Sequence, residues 1–196
     1  MPKSLANLLQ NQILASLPES VTQRLFPQLE PCHLSLGNVL YESRETITSV
    51  WFPRDAIISQ LYVTEDGRSA ELALVGNDGV LGVMPFLGSS SAHTRAVVQS
   101  AGLAYRLPAH LAKAEFDRHG EFMTQILCYV QILLTQIAQT AVCNRHHTLE
   151  QQLCRWLLLS LDRLPTDELA MTQELIANML GVRREGVTTA AGKLQK

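Results

Sequence analysis

The stretch from Thr172 to Lys196, TQELIANMLGVRREGVTTAAGKLQK, constrains the fold more than any other part of the chain. It carries two short apolar stripes at helical spacing with one glycine between them. Leu175, Ile176 and Met179 make the first stripe; Val187, Ala190, Ala191 and Leu194 make the second. Thr172 is suited to cap the first helix, and Glu174 in its first turn complements the positive end. Gly181 suits a left-handed residue that closes that helix. Two short helices across a tight glycine turn describe a helix-turn-helix. The second helix has a polar face of Arg184, Glu185, Thr188, Thr189 and Gly192. Arginine matches guanine O6 and N7, and glutamate accepts from the cytosine amine, so this face has the chemistry to read major-groove edges. Arg183 stands just before it. The same pattern also serves a plain solvated helix, so the rest of the chain must decide.

The other 171 residues are mixed in character. Of the 196 residues, 46% are hydrophobic, enough for a sizeable core. The net charge of −2 excludes a uniformly basic nucleic-acid binder. From Thr172 on, however, Arg183, Arg184, Lys193 and Lys196 outnumber Glu174 and Glu185, giving a basic end on an acidic body. Cys32, Cys128, Cys143 and Cys154 are far apart and read as reduced thiols of a cytoplasmic protein. No metal site is expected from them, and the adjacent His146 and His147 read as solvated loop residues. Neither a signal peptide nor an uninterrupted apolar run of membrane-spanning length is apparent, so no membrane association is expected.

In chain order, Ser4 to Leu17 and Glu19 to Leu29 read as helices, the second ended by Pro31. From Leu34 the pattern turns to short runs of branched and aromatic residues. These are Val39–Tyr41, Ser49–Phe52, Ala56–Val63, Ala70–Val75, Thr94–Gln99 and Leu103–Leu107, and they predict a β-barrel or roll. Asp66-Gly67 and Gly76-Asn77-Asp78-Gly79 mark turns between them. His110 to His119 predicts a short helix. A long helix begins at Glu121. In it Ile126, Val130, Leu133, Ile137, Thr140 and Asn144 form an a/d seam expected to face a second copy of the chain. Apolar neighbours Phe122, Tyr129, Leu134 and Ala141 predict packing on two sides. Thr148 to Gln151 is a capping box opening one more helix, which ends before Pro165. The fold class is therefore α+β: a β-roll with flanking helices, a long dimerisation helix and a C-terminal helix-turn-helix. The expected division is 1–120, 121–145 and 146–196.

This order resembles that of the Crp/Fnr transcription regulators, and the resemblance spans about Leu17 to Lys196. Its most specific parts are Met171 to Thr188 and the segment from Gly82 to Gln99. It implies a cyclic-nucleotide-binding-type roll, a central dimer helix and a winged helix-turn-helix that binds a palindromic operator as a homodimer. It further implies that Arg184 and Glu185 read base edges, that Thr189 is a third DNA-facing position, and that Thr172 touches phosphate. The wing expected after the recognition helix is not found before Lys196, which implies a weakened DNA-binding domain.

Other departures bear on an effector. Where cyclic-AMP-binding members carry a ribose-holding glutamate, this sequence has Val83; where they carry Arg-Ser for the phosphate it has His93 and Thr94, with Arg95 one step on. Valine accepts no hydrogen bond and neutral histidine replaces a two-point arginine poorly. Cyclic AMP is therefore not expected as a cofactor. Cys32 alone precedes the roll, so no iron–sulfur cluster is expected, and the Cys32-His33 pair does not define a haem site. An allosteric pocket for an unidentified small molecule would draw on Val83, His93, Thr94, Arg95, Gln131 and Thr135. The expected function is a homodimeric regulator binding double-stranded DNA. The alternative is a ligand-sensing or dimerisation module without competent DNA binding. No phosphate loop, nucleophile elbow or histidine–carboxylate cluster supports an enzyme.

Overall fold

Strands that alternate their side chains between two faces can bury both, and here they do. The computed structural model describes residues 8–166, 168–169 and 171–195. Its strands are β1 (Glu30–Leu34), β2 (Val39–Tyr41), β3 (Ser49–Pro53), β4 (Ile57–Val63), β5 (Ser69–Val75), β6 (Arg95–Ser100) and β7 (Gly102–Pro108). They form two antiparallel sheets, ordered β1-β7-β3 and β2-β6-β4-β5. Between the sheets lie Tyr41, Trp51, Ile58, Val75, Leu81, Ala96, Val98 and Ala104. Their strand neighbours point the other way, as a period of two requires. Val50, Phe52, Tyr105 and Leu107 thus face a layer of helices, while Leu61 and Val97 face the C-terminal helices.

The first helical layer contains α1 (Gln12–Ala15), α2 (Glu19–Leu25) and α3 (Ala109–Phe116). Asn11 caps α1 and also donates to the carbonyls of Pro53 and Gly79, each at 2.9 Å, tying the helix to the roll. Residues 1–7, part of the first predicted helix, lie outside the described residues. The helix expected over Glu19–Leu29 ends earlier, at Leu25, in a single 3-10 turn (Phe26–Gln28). β1 was not expected. It carries Pro31 and a mostly exposed side-chain pattern, which an edge strand tolerates and a periodicity search overlooks.

The long helix, α4 (Glu121–His146), has 26 residues. By length and composition alone it is apolar enough to cross a membrane, which the sequence reading missed because glutamines and threonines interrupt it. One face of it completes the roll's core: Phe122, Ile126, Tyr129 and Leu133 are buried against the first helical layer and the sheet, with Val130 and Ile137 packed beside them. Two residues of the expected dimer seam, Ile126 and Leu133, are thereby corrected to core positions, while Val130, Ile137 and Thr140 are half-buried and Asn144 is exposed. Ile126 is 0% exposed within a single chain and is not available to a second one. Thr140 accepts from Arg155 Nη1 at 3.4 Å, and Thr140 and Asn144 both line the junction with the following helices. The face left open lies one residue on: Leu127, Gln131, Leu134, Ala138, Ala141 and Arg145, again at alternating steps of four and three.

Candidate nucleic-acid interface

Three helices follow the long one: α5 (Leu149–Leu161), α6 (Gln173–Leu180) and α7 (Arg184–Leu194). The capping box at the start of α5 is complete, with Gln151 N donating to Thr148 Oγ1 and Thr148 N donating to Gln151 Oε1. Thr172 caps α6 by accepting from Leu175 N at 3.1 Å. Gly181 then takes φ +66°, the left-handed conformation that ends a helix and that a side chain disfavours. After two intervening residues, Val182 and Arg183, α7 begins. Its Val187 and Ala190 are buried, and Lys193 pairs with Glu150 at the start of α5. That pairing holds the Glu150 carboxyl down to about 2. Gly186 serves close approach: a Cβ there would lie 3.0 Å from Leu149 Cδ2.

The opposite face of α7 is open. Arg183, Arg184, Glu185, Thr188 and Thr189 are all exposed, as is Thr172. No ion pair involves Arg183, Arg184 or Glu185 among the described residues. The threonine hydroxyls are not equally free. Thr189 donates to the Glu185 carbonyl at 2.9 Å, and Thr188 lies 2.5 Å from Gln173 Oε1 and 3.1 Å from the Arg184 carbonyl. Their hydrogens are thus committed inside the motif. Arg183 stands at the N-cap of α7 without a side-chain capping bond, so the first amide donors there have no side-chain acceptor.

The motif rests on the roll. Trp156 and Met179 pack with Leu61 and Val97, and Gly181 would place a Cβ 3.4 Å from the Ser69 carbonyl. Trp156 Nε1 donates to Glu71 Oε1 at 3.0 Å, and Gln99 Nε2 donates to Ser160 Oγ at 3.0 Å. Glu71 lies outside every candidate site read from the sequence. Its position among apolar residues of β5, two before buried Ala73, was the available signal.

The proposed effector residues are scattered. Val83 is buried in the core beside the helices. Exposed His93 and half-buried Arg95 line an open cleft with Glu42, Arg44, Tyr62 and Asp66, and Arg95 Nε lies 3.2 Å from Glu42 Oε1. Thr94 points elsewhere, 3.4 Å from Gln60 Oε1. Gln131 and Thr135 line a separate groove between α4 and α5, together with Cys128, Ile132 and Arg155. A single chain therefore does not bring the six together. Cys32, half-buried, donates to the Ala104 carbonyl; Cys143 is buried, and Cys128 and Cys154 are exposed.

Residues 151–196 match the model of the Crp-like helix-turn-helix domain. The chain ends in a Crp-like helix-turn-helix. That domain sits on the fold of Crp/Fnr regulators. A putative Crp/Fnr-family transcriptional regulator from Eubacterium rectale has 16% identity and a TM-score of 0.75 over 95% of this chain and 87% of that one. FixK2 from Bradyrhizobium japonicum has 15% identity and a TM-score of 0.74, covering 85% and 84%. CLP from Xanthomonas campestris, a c-di-GMP-responsive global regulator, has 15% identity and a TM-score of 0.69, covering 91% and 92%. No curated protein sequence is significantly similar to the chain. In the Crp-like domain, α6 and α7 are the two helices of the motif, and the face bearing Arg184 is the outer face of the second.

Proposed function

We propose that this chain is a transcription regulator that acts in the cytoplasm as a homodimer and reads a two-fold symmetric operator in double-stranded DNA. The observation that carries the reading is the polar face of α7, fully exposed on a helix whose other face is buried in a Crp-like domain. Arg184 donates two hydrogen bonds to a guanine edge and Glu185 accepts from a cytosine amine, each pairing worth about 1–3 kcal/mol of discrimination. Thr188 and Thr189, their hydrogens committed, present methyl groups suited to thymine. Arg183 and the free amides at the start of α7 take a phosphate, and Thr172 lies on the same side of the motif.

Dimerisation uses the open face of α4, centred on Leu127, Leu134 and Ala138. Two reading helices held this way enter successive major grooves about 34 Å apart. Regulation does not use cyclic AMP: Val83 supplies no acceptor for a ribose and is already packed in the core. Nor does it use an iron–sulfur cluster, for which Cys32 alone before the roll is too few ligands. A small-molecule effector, if bound, uses the cleft of His93 and Arg95. No catalysis is part of this reading.

Selection of bound sequences from a random DNA pool tests it. Recovery of a motif with two-fold symmetry is the expected result. A folded dimer that enriches no sequence overturns it in favour of a sensing or dimerisation module.

A further inference from the structure

At the junction between the roll and the Crp-like domain, five polar side chains are buried: Ser59 on β4, Glu71 on β5, Gln99 on β6, and Trp156 and Ser160 on α5. Four hydrogen bonds link them. Trp156 Nε1 donates to Glu71 Oε1 at 3.0 Å, Ser59 Oγ donates to Gln99 Oε1 at 2.6 Å, Gln99 Nε2 donates to Ser160 Oγ at 3.0 Å, and Ser160 Oγ donates to the Trp156 carbonyl at 3.0 Å. One link is open. Glu71 Oε2 is buried with no partner, and Ser59, the hydroxyl beside it, spends its hydrogen on Gln99. A proton on Oε2 closes the circuit by donating to Ser59 Oγ. Without that proton, Ser59 must turn its hydrogen to the carboxylate and leave the Gln99 carbonyl unsatisfied, or leave a buried charge unpaired.

We propose that this ring is a proton-dependent latch: with Glu71 protonated it holds α5 and the helix-turn-helix against the roll, and ionisation of Glu71 releases them. Arg155 and Arg163, on and just after α5, favour the ionised form. Arg163 is itself engaged by Asp78, and from α4 the junction is faced by Gln136, Thr140, Cys143 and Asn144. Burial outweighs the arginines and pushes the Glu71 carboxyl up to about 8. A carboxyl raised in the docked state stabilises docking fully below its ordinary range near 4.5, and that contribution is lost as pH rises through about 8. The consequence for DNA rests on the function proposed above: release frees the angle at which α7 is presented.

The test uses the full chain with Trp51→Phe, which leaves Trp156 as the single tryptophan, and reads acrylamide quenching from pH 6.5 to 9.5. Quenching is expected to rise several-fold with a midpoint near 8. Glu71→Gln keeps a neutral group that accepts from Trp156 and donates to Ser59, so quenching is expected to stay low throughout. Ser160→Ala weakens the ring elsewhere and is expected to move the midpoint down. A flat titration in the parent, the same rise in Glu71→Gln, or an unmoved midpoint in Ser160→Ala overturns the latch. No DNA is present, so this outcome is independent of the operator selection.

Discussion

Arg163 and Asp78 are joined at two points, Nε to Oδ1 at 3.1 Å and Nη2 to Oδ2 at 2.7 Å, across the boundary between the C-terminal helices and the roll. The guanidinium also donates from Nη1 to the Leu159 carbonyl at 2.8 Å, so its position is fixed on both sides. Arg163→Met keeps the aliphatic stem and removes the pair. It is expected to lower stability by about 2 kcal/mol, because a charged, mostly buried hydrogen-bonding partner is left alone on Asp78. Thermal unfolding measures the loss; a change within a few tenths would show the pair to be incidental.

The caps of the reading motif give a second expectation. Thr172→Ala removes the acceptor for Leu175 N and is expected to cost about 1 kcal/mol. Gly181→Ala forces a side chain into φ +66° and is expected to cost about 1–2 kcal/mol. Chemical denaturation of each variant checks both, and the two should add, since they act at opposite ends of α6.

Two residues of α4 on different faces should behave in opposite ways. Leu134 is 62% exposed on the open face, so Leu134→Glu is expected to give a folded monomer by sedimentation. Ile126 is fully buried in the roll, so Ile126→Ala is expected to cost about 2–5 kcal/mol of stability. A dimer that survives Leu134→Glu would place the partner elsewhere.

Arg184→Ala is expected to relax selectivity at one base pair in each half-site by about 1–3 kcal/mol while the other positions keep theirs. Arg183→Ala should instead weaken binding evenly across sequences and flatten its dependence on salt. Binding titrations on single-substitution operators at two salt concentrations separate the two roles.

The pair of Lys193 and Glu150, which clamps α7 onto the start of α5, sets an acid limit. The Lys193 ammonium, with the amides and Thr148 at the helix start, holds the Glu150 carboxyl at about 2, below its ordinary 4.5. Its contribution is therefore present above about 4.5 and lost as pH falls through about 2. Carboxyl titration by NMR is expected to find Glu150 still ionised at pH 3.5, and Lys193→Met to move it part of the way back toward the ordinary value.

What was legible in the sequence was what is local. Thr148-x-x-Gln151, Thr172 and Gly181 name their own backbone roles, and the structure has each of them. The strands announced themselves by branched residues between turns, except β1, whose proline and exposed histidine hide it. Which face of α4 meets the roll was not legible because the helix is apolar on most sides, and periodicity alone does not choose between them. The ring around Glu71 was beyond reach for another reason: its members lie up to 101 positions apart, and it takes both the pairing of β4 with β5 and β6 and the docking of α5 on that sheet to bring them together.

The packing of Leu61 and Val97 against Trp156 and Met179 means that one wall of the Crp-like domain's hydrophobic core belongs to the roll. A random screen for loss of operator recognition should thus return substitutions at Leu61 and Val97, remote in sequence from the reading helix, beside those at Arg184. By the same coupling, if α7 grips an operator as proposed, tightening that grip also changes how firmly the roll's outer sheet holds its shape.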